Sequence, residues 1–371
     1  MNQVFNKLCI TLSMILYCNS GHAEDFKRFS VSAGWLHVMP QGKANSFNVN
    51  TMANPSTAYG VGSISSSAFI KSINPNASIN DFNIKEVVGG FFQVNPDTGT
   101  SIAQDIGWQD QNGNISPSVT GTANIYGIDH WVQNGSGLEA EDVDTLGLTF
   151  NYYVNDNVSL QIIGGIPPKV DIKGKGEIIA PMTGVAFPQD GLEQIFVDGI
   201  PLKQDIPITN LGNKSKAASV RAWTPAIEAQ YQFGKSGVNK FRPYIGAGVM
   251  YSHFSNIKLN GQINSDLIAA GHMIQNILDN KAGAALDGKT SSADPYVKVK
   301  TTDSLSPIVT LGATYDINSN WYTIASISYA KMNNLAKIDV IDRKSGNQLI
   351  RSSTKVDIDP IITYLGVGYR F

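Results

Sequence analysis

Catalysis in this chain would rest on few side chains. Its cysteines, Cys9 and Cys18, both sit near the N-terminus, and the histidines beyond that region are His37, His130, His253 and His272. A nucleophile needs a base within hydrogen-bond reach and a third group to orient that base. None of these histidines lies in a recognisable nucleophile motif, and no pair has metal-ligand spacing such as H-E-x-x-H. His37 and His253 fall near the ends of two extended stretches, where they could meet Ser252 or Ser255, although histidines at such rims are usually polar surface. The expectation is a protein that is not an enzyme and that needs no cofactor and no metal.

A second set of residues recurs at the polar positions of alternating stretches: Thr149, Gln161, Glu228, Gln230 and Thr314, joined by Met250 and Tyr364. Such residues either line a passage or close it as a satisfied hydrogen-bonded network. Glu228 makes the sharpest demand, because a buried carboxylate needs a cation. Arg28, Arg242 and Arg370 are expected on the same inner side, so structural ion pairing is the reading for Glu228.

The elements that position these residues are strands. Counting back in twos from Phe371 gives Tyr369, Val367, Leu365 and Thr363, with Arg370, Gly368, Gly366 and Tyr364 between them. That is the alternation of a strand with one apolar face. Eight stretches share it, each long enough to cross a bilayer as a tilted strand of about 9 to 11 residues. They run Phe26 to Pro40, Val143 to Val154, Val158 to Pro167, Val220 to Phe233, Phe241 to Phe254, Leu305 to Ile317, Trp321 to Val340 and Thr354 to Phe371. An even count lets the sheet close and leave no edge unpaired in hydrocarbon. The fold class expected is all-β, an eight-stranded antiparallel transmembrane β-barrel with long extracellular loops.

The connections alternate in length. Asn155-Asp156-Asn157, Gly234 to Lys240 and Asn318-Ser319-Asn320 are tight turns, whereas Gln41 to Asp142, Lys169 to Ser219 and Asn256 to Ser304 are long, with a shorter hairpin around Asp342 to Ile350. Short turns face the periplasm and long loops the outside in such barrels, which puts both termini in the periplasm. Aromatic residues band near the short turns, from Tyr152 and Tyr153 through Tyr231, Phe233, Phe241, Tyr244, Tyr315, Trp321 and Tyr322 to Tyr369 and Phe371. They form one expected interfacial girdle, and Trp35, Trp223, Tyr251, Phe254 and Tyr329 the other.

Composition agrees. Charged residues make up 16% of the chain, Lys+Arg 28 against Asp+Glu 30 leaves no basic footprint for nucleic acid, and Gly at 35 fits strands and turns. Lys7, the apolar run Leu8 to Cys18 and Gly21-His22-Ala23 read as a secretory signal peptide over residues 1–23, which leaves a barrel over 24–371 with an insertion at 41–142. Tyr17 before Cys18 makes a poor lipidation signal, and both cysteines leave with the signal. The 41–142 segment is too large to plug a barrel of eight strands, so a partly ordered cap is expected above it. Ser265 to Lys281 has helical spacing with Ser265 as its cap, its apolar face resting on the rim or touching lipid.

Leu146-Gly147-Leu148-Thr149-Phe150, Pro225 to Gly234, Phe241-Arg242-Pro243-Tyr244-Ile245-Gly246-Ala247-Gly248 and Gly366-Val367-Gly368-Tyr369-Arg370-Phe371 together resemble the OmpW family of outer-membrane proteins. The resemblance covers all eight strands in order and spares the long loops. It implies a barrel with an apolar interior passage that admits small hydrophobic molecules and releases them sideways into the membrane. The first loop is far longer than is usual in the family. Ile327-Ser328-Tyr329 stands where a relative would read V-W-Y, so an aromatic gate there would be missing.

Prolines mark where a side exit would lie. Pro167, Pro225, Pro307 and Pro360 stand at similar distances from the short-turn end. Proline cannot donate to a ladder, so Pro167 and Pro168 facing Pro225 on the next strand either open the pairing there or mark where strands leave the hydrocarbon. The expected partners are outer-membrane lipid, lipopolysaccharide phosphates near Lys337, Arg343, Lys344 and Arg351, a small hydrophobic solute, and the barrel-assembly machinery through Tyr369 and Phe371 of the last strand. A rival reading makes the barrel an anchor that displays its loops for adhesion.

Overall fold

The computed structural model describes residues 26–371. The expected signal peptide, with Cys9 and Cys18, lies outside the described residues. Eight strands form the barrel: β1 (Phe29–Met39), β2 (Val143–Tyr153), β3 (Val158–Gly165), β4 (Ala226–Gln232), β5 (Phe241–Leu259), β6 (Ser304–Asp316), β7 (Trp321–Ala330) and β8 (Ile361–Arg370). Each pairs antiparallel with the next, and β8 returns to β1 from Ser30↔Arg370 to Met39↔Ile361, so the sheet is closed. Alternation decides the faces: Leu146, Leu148, Leu365 and Val367 are exposed outward, while Thr149, Asn151, Tyr364 and Arg370 are buried inside. A wall apolar on its outer face and polar within is that of a membrane barrel. No helix among the described residues is long and apolar enough to cross a membrane.

A barrel of eight strands is just wide enough for its own side chains, and glycine makes the fit. Tyr244 lies opposite Gly312, where an added Cβ would stand 2.4 Å from its Cζ, and Tyr322 lies opposite Gly368 at 2.2 Å. Three expected girdle members therefore point inward: Tyr153, Tyr244 and Tyr322 are buried in the lumen. Tyr231, Phe233, Phe241 and Trp321 stay on the outer face, with Tyr231 against Phe233 and Trp321 against Tyr369 at 5.1 Å. At the other end Trp35, Trp223, Tyr251 and Tyr329 face out, but Phe254 packs inward against buried residues.

Three strands break where continuity was expected. The fourth splits into Ala218–Trp223 and β4 around Pro225. The seventh ends at Ala330, and the chain continues as Asn333–Asp342. The eighth begins only at Ile361, after Gln348–Asp357. The upper pieces of the last two pair with each other, with Pro295–Thr301 and with Phe47–Thr51 in a separate five-stranded sheet. This sheet, the 41–142 segment and the other long connections build a cap over one mouth of the barrel, with regular elements and one continuous core. Its helix α1 (Gly261–Leu278) starts earlier than expected, capped by Asn260, whose side chain accepts from the Gln262 N–H. Ser265 lies within the first turns and bonds back to Gly261 O at 3.1 Å. The apolar face of α1 does not rest on the rim or on lipid: Ile263, Leu267, Ile274 and Ile277 are buried in the cap core.

Candidate functional site, a row of cavities beside a gap in the wall

The ladder between β3 and β4 runs from Val158↔Tyr231 to Ile163↔Ala226 and then stops. It resumes beyond the prolines, where Lys169–Lys175 pairs with Ala218–Trp223 from Lys169↔Arg221 to Ile172↔Ala218. The Ala222 N–H bonds to Pro168 O at 3.0 Å and closes the upper edge. Between these limits, from Gly164 to Pro167, no backbone bond to Trp223–Pro225 is made among the described residues. At the rise of a strand the interval is about 13 Å. Both flanking ladders stay intact there, through Ile166 N to Leu146 O and Tyr251 N to Pro225 O. The prolines interrupt this ladder and do not simply end it, since pairing continues above them.

The gap opens from a cavity of about 320 Å³ in the upper lumen, bordered by Pro167, Pro168 and Pro225 at the wall and by Thr149, Gln161, Met250 and Tyr364 within. Above it lies a cavity of about 120 Å³ whose wall is almost wholly apolar, including Val170, Ile172, Val220 and Phe254. Val38, Pro168, Ala222 and Met332 border both. A third cavity of about 40 Å³ under the cap shares Phe47, Leu211, Ile263 and Ile338 with the second. The three cavities thus lie in series from beneath the cap to the gap, each sharing lining residues with the next.

Downward the lumen is shut. Tyr244, Tyr322, Ile324 and Tyr364 pack together with Leu36 across it. Below them Arg242 meets Asp156, Arg370 meets Asp316 at 2.7 Å, and the Arg370 guanidinium lies 4.4 Å from the Tyr322 ring centre. A separate hollow of about 760 Å³ opens beneath, at the short-turn end.

All seven expected lining residues are buried inside the barrel, but they divide. Thr149, Gln161, Met250 and Tyr364 border the cavity, whereas Glu228, Gln230 and Thr314 lie outside its lining, in the hydrogen-bonded network. There Gln232 Nε2 donates to Thr314 Oγ1, Thr310 Oγ1 to Glu228 Oε1 and Gln230 Nε2 to Gln161 Oε1, each at 2.7 Å. The expected ion pair of Glu228 is not formed. Arg242 and Arg370 take aspartates at the turns, Arg28 is exposed beside Phe26, and Glu228 Oε2 has no partner among the described residues. The tyrosine floor was missed, although Tyr244 shares the phase of Gly246 and Gly248 and was legible as inward from that alone.

At the rim His37 and His253 do not meet serines. His37 Nδ1 lies 2.8 Å from Asp144 and His253 Nδ1 2.8 Å from Asp303, while Ser252 bonds to Ser304. The Tyr251 hydroxyl, and then His253, hold the Asp303 carboxyl below its ordinary value. No group of three His, Cys, Asp or Glu able to hold a metal occurs among the described residues.

Outer membrane protein W of Vibrio cholerae is 23% identical to this chain over 236 residues, covering 64% of the chain and 77% of that protein. Its counterpart of the same name in Escherichia coli K12 is 23% identical over 237 residues, with 63% and 76% covered. The outer membrane protein OprG of Pseudomonas aeruginosa aligns over 93% of this chain and 96% of its own, at 15% identity and a TM-score of 0.46. The OmpW family model matches residues 109–287 and 268–371, which include β2 through β8. With most of its length matched and its barrel closed by eight strands, the chain belongs to the OmpW family and is a β-barrel of the bacterial outer membrane.

Proposed function

We propose that the protein gives passive passage to small hydrophobic molecules, which enter beneath the cap and leave sideways through the gap between β3 and β4 into the membrane. The observation that carries this reading is the conjunction of the interrupted ladder with apolar cavities above a closed floor. A solute that follows apolar surface gains about 25 cal/mol for each Å² it removes from water, and the lumen cavity it would reach is bordered both by the prolines of the gap and by Tyr244 and Tyr364 of the floor. In this reading the cap faces outward, the short turns and both termini face the periplasm, and no chemical step occurs. Phe371, exposed on the outer face with Tyr369 beside it, suits recognition of the last strand by the barrel-assembly machinery. Of the basic residues expected at lipopolysaccharide, Arg343 and Arg351 are paired with Asp294 and Asp339, and Lys344 donates to Ser292 O. Lys337 makes no ion pair among the described residues, which leaves it the best placed of the four to meet a lipid phosphate.

The test is uptake of a small apolar solute into cells whose outer membrane carries the intact protein, beside a variant with Pro167→Val, Pro168→Val and Pro225→Val. Uptake that falls in the variant, at equal amounts of folded barrel, supports the lateral window. Uptake by neither, above cells lacking the protein, would sink the passage and favour an anchor for the cap, whose exposed Phe82, Ile102 and Val197 would then be the place to look for a partner.

A further inference from the structure

Just above the aromatic residues at the cap end, the outer face of the wall carries more cations than its own carboxylates can use. On the sheet above the gap, Glu139 takes Lys175, Glu141 takes Lys173 and Asp171 takes Lys216, at 2.7 to 2.8 Å. Lys169, Arg221 and Lys258 are left over: all three are exposed and make no ion pair among the described residues. Pro295–Thr301 lies beside β5 and continues the belt with Lys298 and Lys300, and Asn333–Asp342 adds Lys337. These three are also exposed and unpaired among the described residues, since Asp339 across from Lys298 is held by Arg351. The chain neighbours Val170, Val220, Ile257, Val299 and Ile338 line the apolar cavity inside, so the six cations face away from it. Of the other carboxylates near this height, Asp303 is held by Tyr251 and His253, and Asp142 acts on Lys173. Lys169 stands directly across from Arg221, and Lys300 directly across from Lys337. Like charges opposite one another destabilise a ladder, and an anion seated between them relieves that repulsion. The Arg221 guanidinium is already oriented, because its Nη1 donates to Pro167 O at 3.0 Å, which leaves its remaining donors for a ligand.

We infer that this belt binds lipid A, the phosphorylated glucosamine headgroup of lipopolysaccharide, with Lys169, Arg221 and Lys258 at one phosphate centre and Lys298, Lys300 and Lys337 at another. Height argues for a lipid and not a soluble anion. Trp223 lies two residues below Arg221 on the same outer face, so the guanidinium stands about 7 Å above an interfacial aromatic, at the level of headgroups. Acyl chains below such a headgroup would lie along Trp223, Ile227 and Tyr251, all exposed on the outer face. Phosphate suits a planar guanidinium flanked by ammonium groups. Lys337 is the one member of the belt expected at a lipid phosphate from the sequence; the other five extend the site toward the gap. The inference rests on the outward orientation of the cap given above and not on the passage.

The experiment titrates the protein in phosphatidylcholine nanodiscs with lipid A, with dephosphorylated lipid A and with phosphatidylglycerol, and counts bound lipid by native mass spectrometry. The intact protein should bind lipid A roughly tenfold or more tightly than either of the others. Lys169→Gln with Arg221→Gln, and separately Lys300→Gln with Lys337→Gln, should each weaken lipid A binding by roughly tenfold. Lys235→Gln with Lys240→Gln makes the same change of charge at the short-turn end and should leave binding as it was. Equal binding of lipid A and its dephosphorylated form by the intact protein overturns the inference whatever the variants do, as does lipid A binding that neither belt variant weakens. Phosphatidylglycerol bound as tightly as lipid A makes the belt a general anion surface and overturns the assignment to lipid A. Val197 is exposed on the cap, so labelling of Val197→Cys in intact cells by a membrane-impermeant maleimide tests the orientation separately. Labelling without lipid A binding overturns the inference and leaves the orientation standing; no labelling overturns both.

Discussion

Single residues close the barrel, and glycine opposite tyrosine is the device. Gly312→Ala would place a Cβ 2.4 Å from the Tyr244 ring, which must then leave its rotamer or push the wall apart. Overpacking of this kind costs about 1–3 kcal/mol. The expected result is a lower midpoint of denaturant unfolding in detergent micelles for Gly312→Ala, largely recovered when Tyr244→Leu is added to the same chain. Equal stability of the single variant and its parent would show that the two residues do not share that space. Alternation made the inward side of each strand legible, since Thr149, Gln161, Glu228, Gln230, Met250, Thr314 and Tyr364 are all inside. Height along the barrel was harder to read. Glu228 pairs across from Gly248, and Arg242 lies six residues further down β5, about 20 Å away at the rise of a strand. Sharing a face therefore did not bring carboxylate and guanidinium together, because a period of two specifies side and not depth.

At the scale of elements, sequence period located the strands but not where one sheet hands over to another. Trp321 to Val340 and Thr354 to Phe371 each read as one strand because both the barrel wall and the cap sheet bury one face, although the apolar phase shifts within each run, from odd positions such as Ile327 and Leu365 in the barrel to even ones such as Ile338 and Val356 in the cap. The handover is marked instead by Lys331-Met332 and by Asp359-Pro360, where Asp359 has φ 41 and its carboxylate accepts from Lys331 Nζ and from the Met332 N–H. The hairpin above this handover turns on Asp342. Its carboxylate accepts from Ser345 Oγ at 2.6 Å and from the backbone N–H groups of Ser345, Asp294 and Lys344 at 2.8 to 3.1 Å. The Ser345 hydroxyl first, and then these N–H groups, hold the Asp342 carboxyl well below its ordinary value of 3.8. A carboxyl whose folded value is depressed stabilises the fold fully above its unfolded value and loses that contribution as pH falls through the folded one. The turn should therefore keep its amide-exchange protection at Gly346 and Asn347 down through pH 4 and lose it only at more acidic pH. Asp342→Asn should lower that protection at neutral pH, because an amide accepts more weakly than a carboxylate. Protection in Asp342→Asn equal to that of the parent would mean that the turn is held by its backbone bonds alone.

At the scale of the molecule, the proposed passage divides the work between barrel and cap: the barrel would supply a wall with a gap and a floor, and the cap the apolar approach. The sequence announced the wall, through period two and the short turns, and the gap, through its prolines. The approach was not legible, because it is assembled from segments far apart in the chain. Phe47, Leu211, Ile263 and Ile338 meet in one core only after four connections have folded over the same mouth. This division predicts that constricting the approach and opening the floor have separate effects. Ala222 is buried at the junction of the lumen cavity and the one above it, so Ala222→Phe should reduce uptake of an apolar solute severalfold at an unchanged amount of folded barrel. Tyr244→Ala combined with Tyr322→Ala removes the middle of the floor. That pair should raise ion conductance across a planar bilayer above the parent's, by joining the upper cavity to the hollow at the short-turn end, without increasing apolar uptake. If Ala222→Phe takes up solute like its parent, the cavities are not the route. If the tyrosine pair raises apolar uptake and conductance together, solute moves along the barrel axis and the gap between β3 and β4 is not the exit.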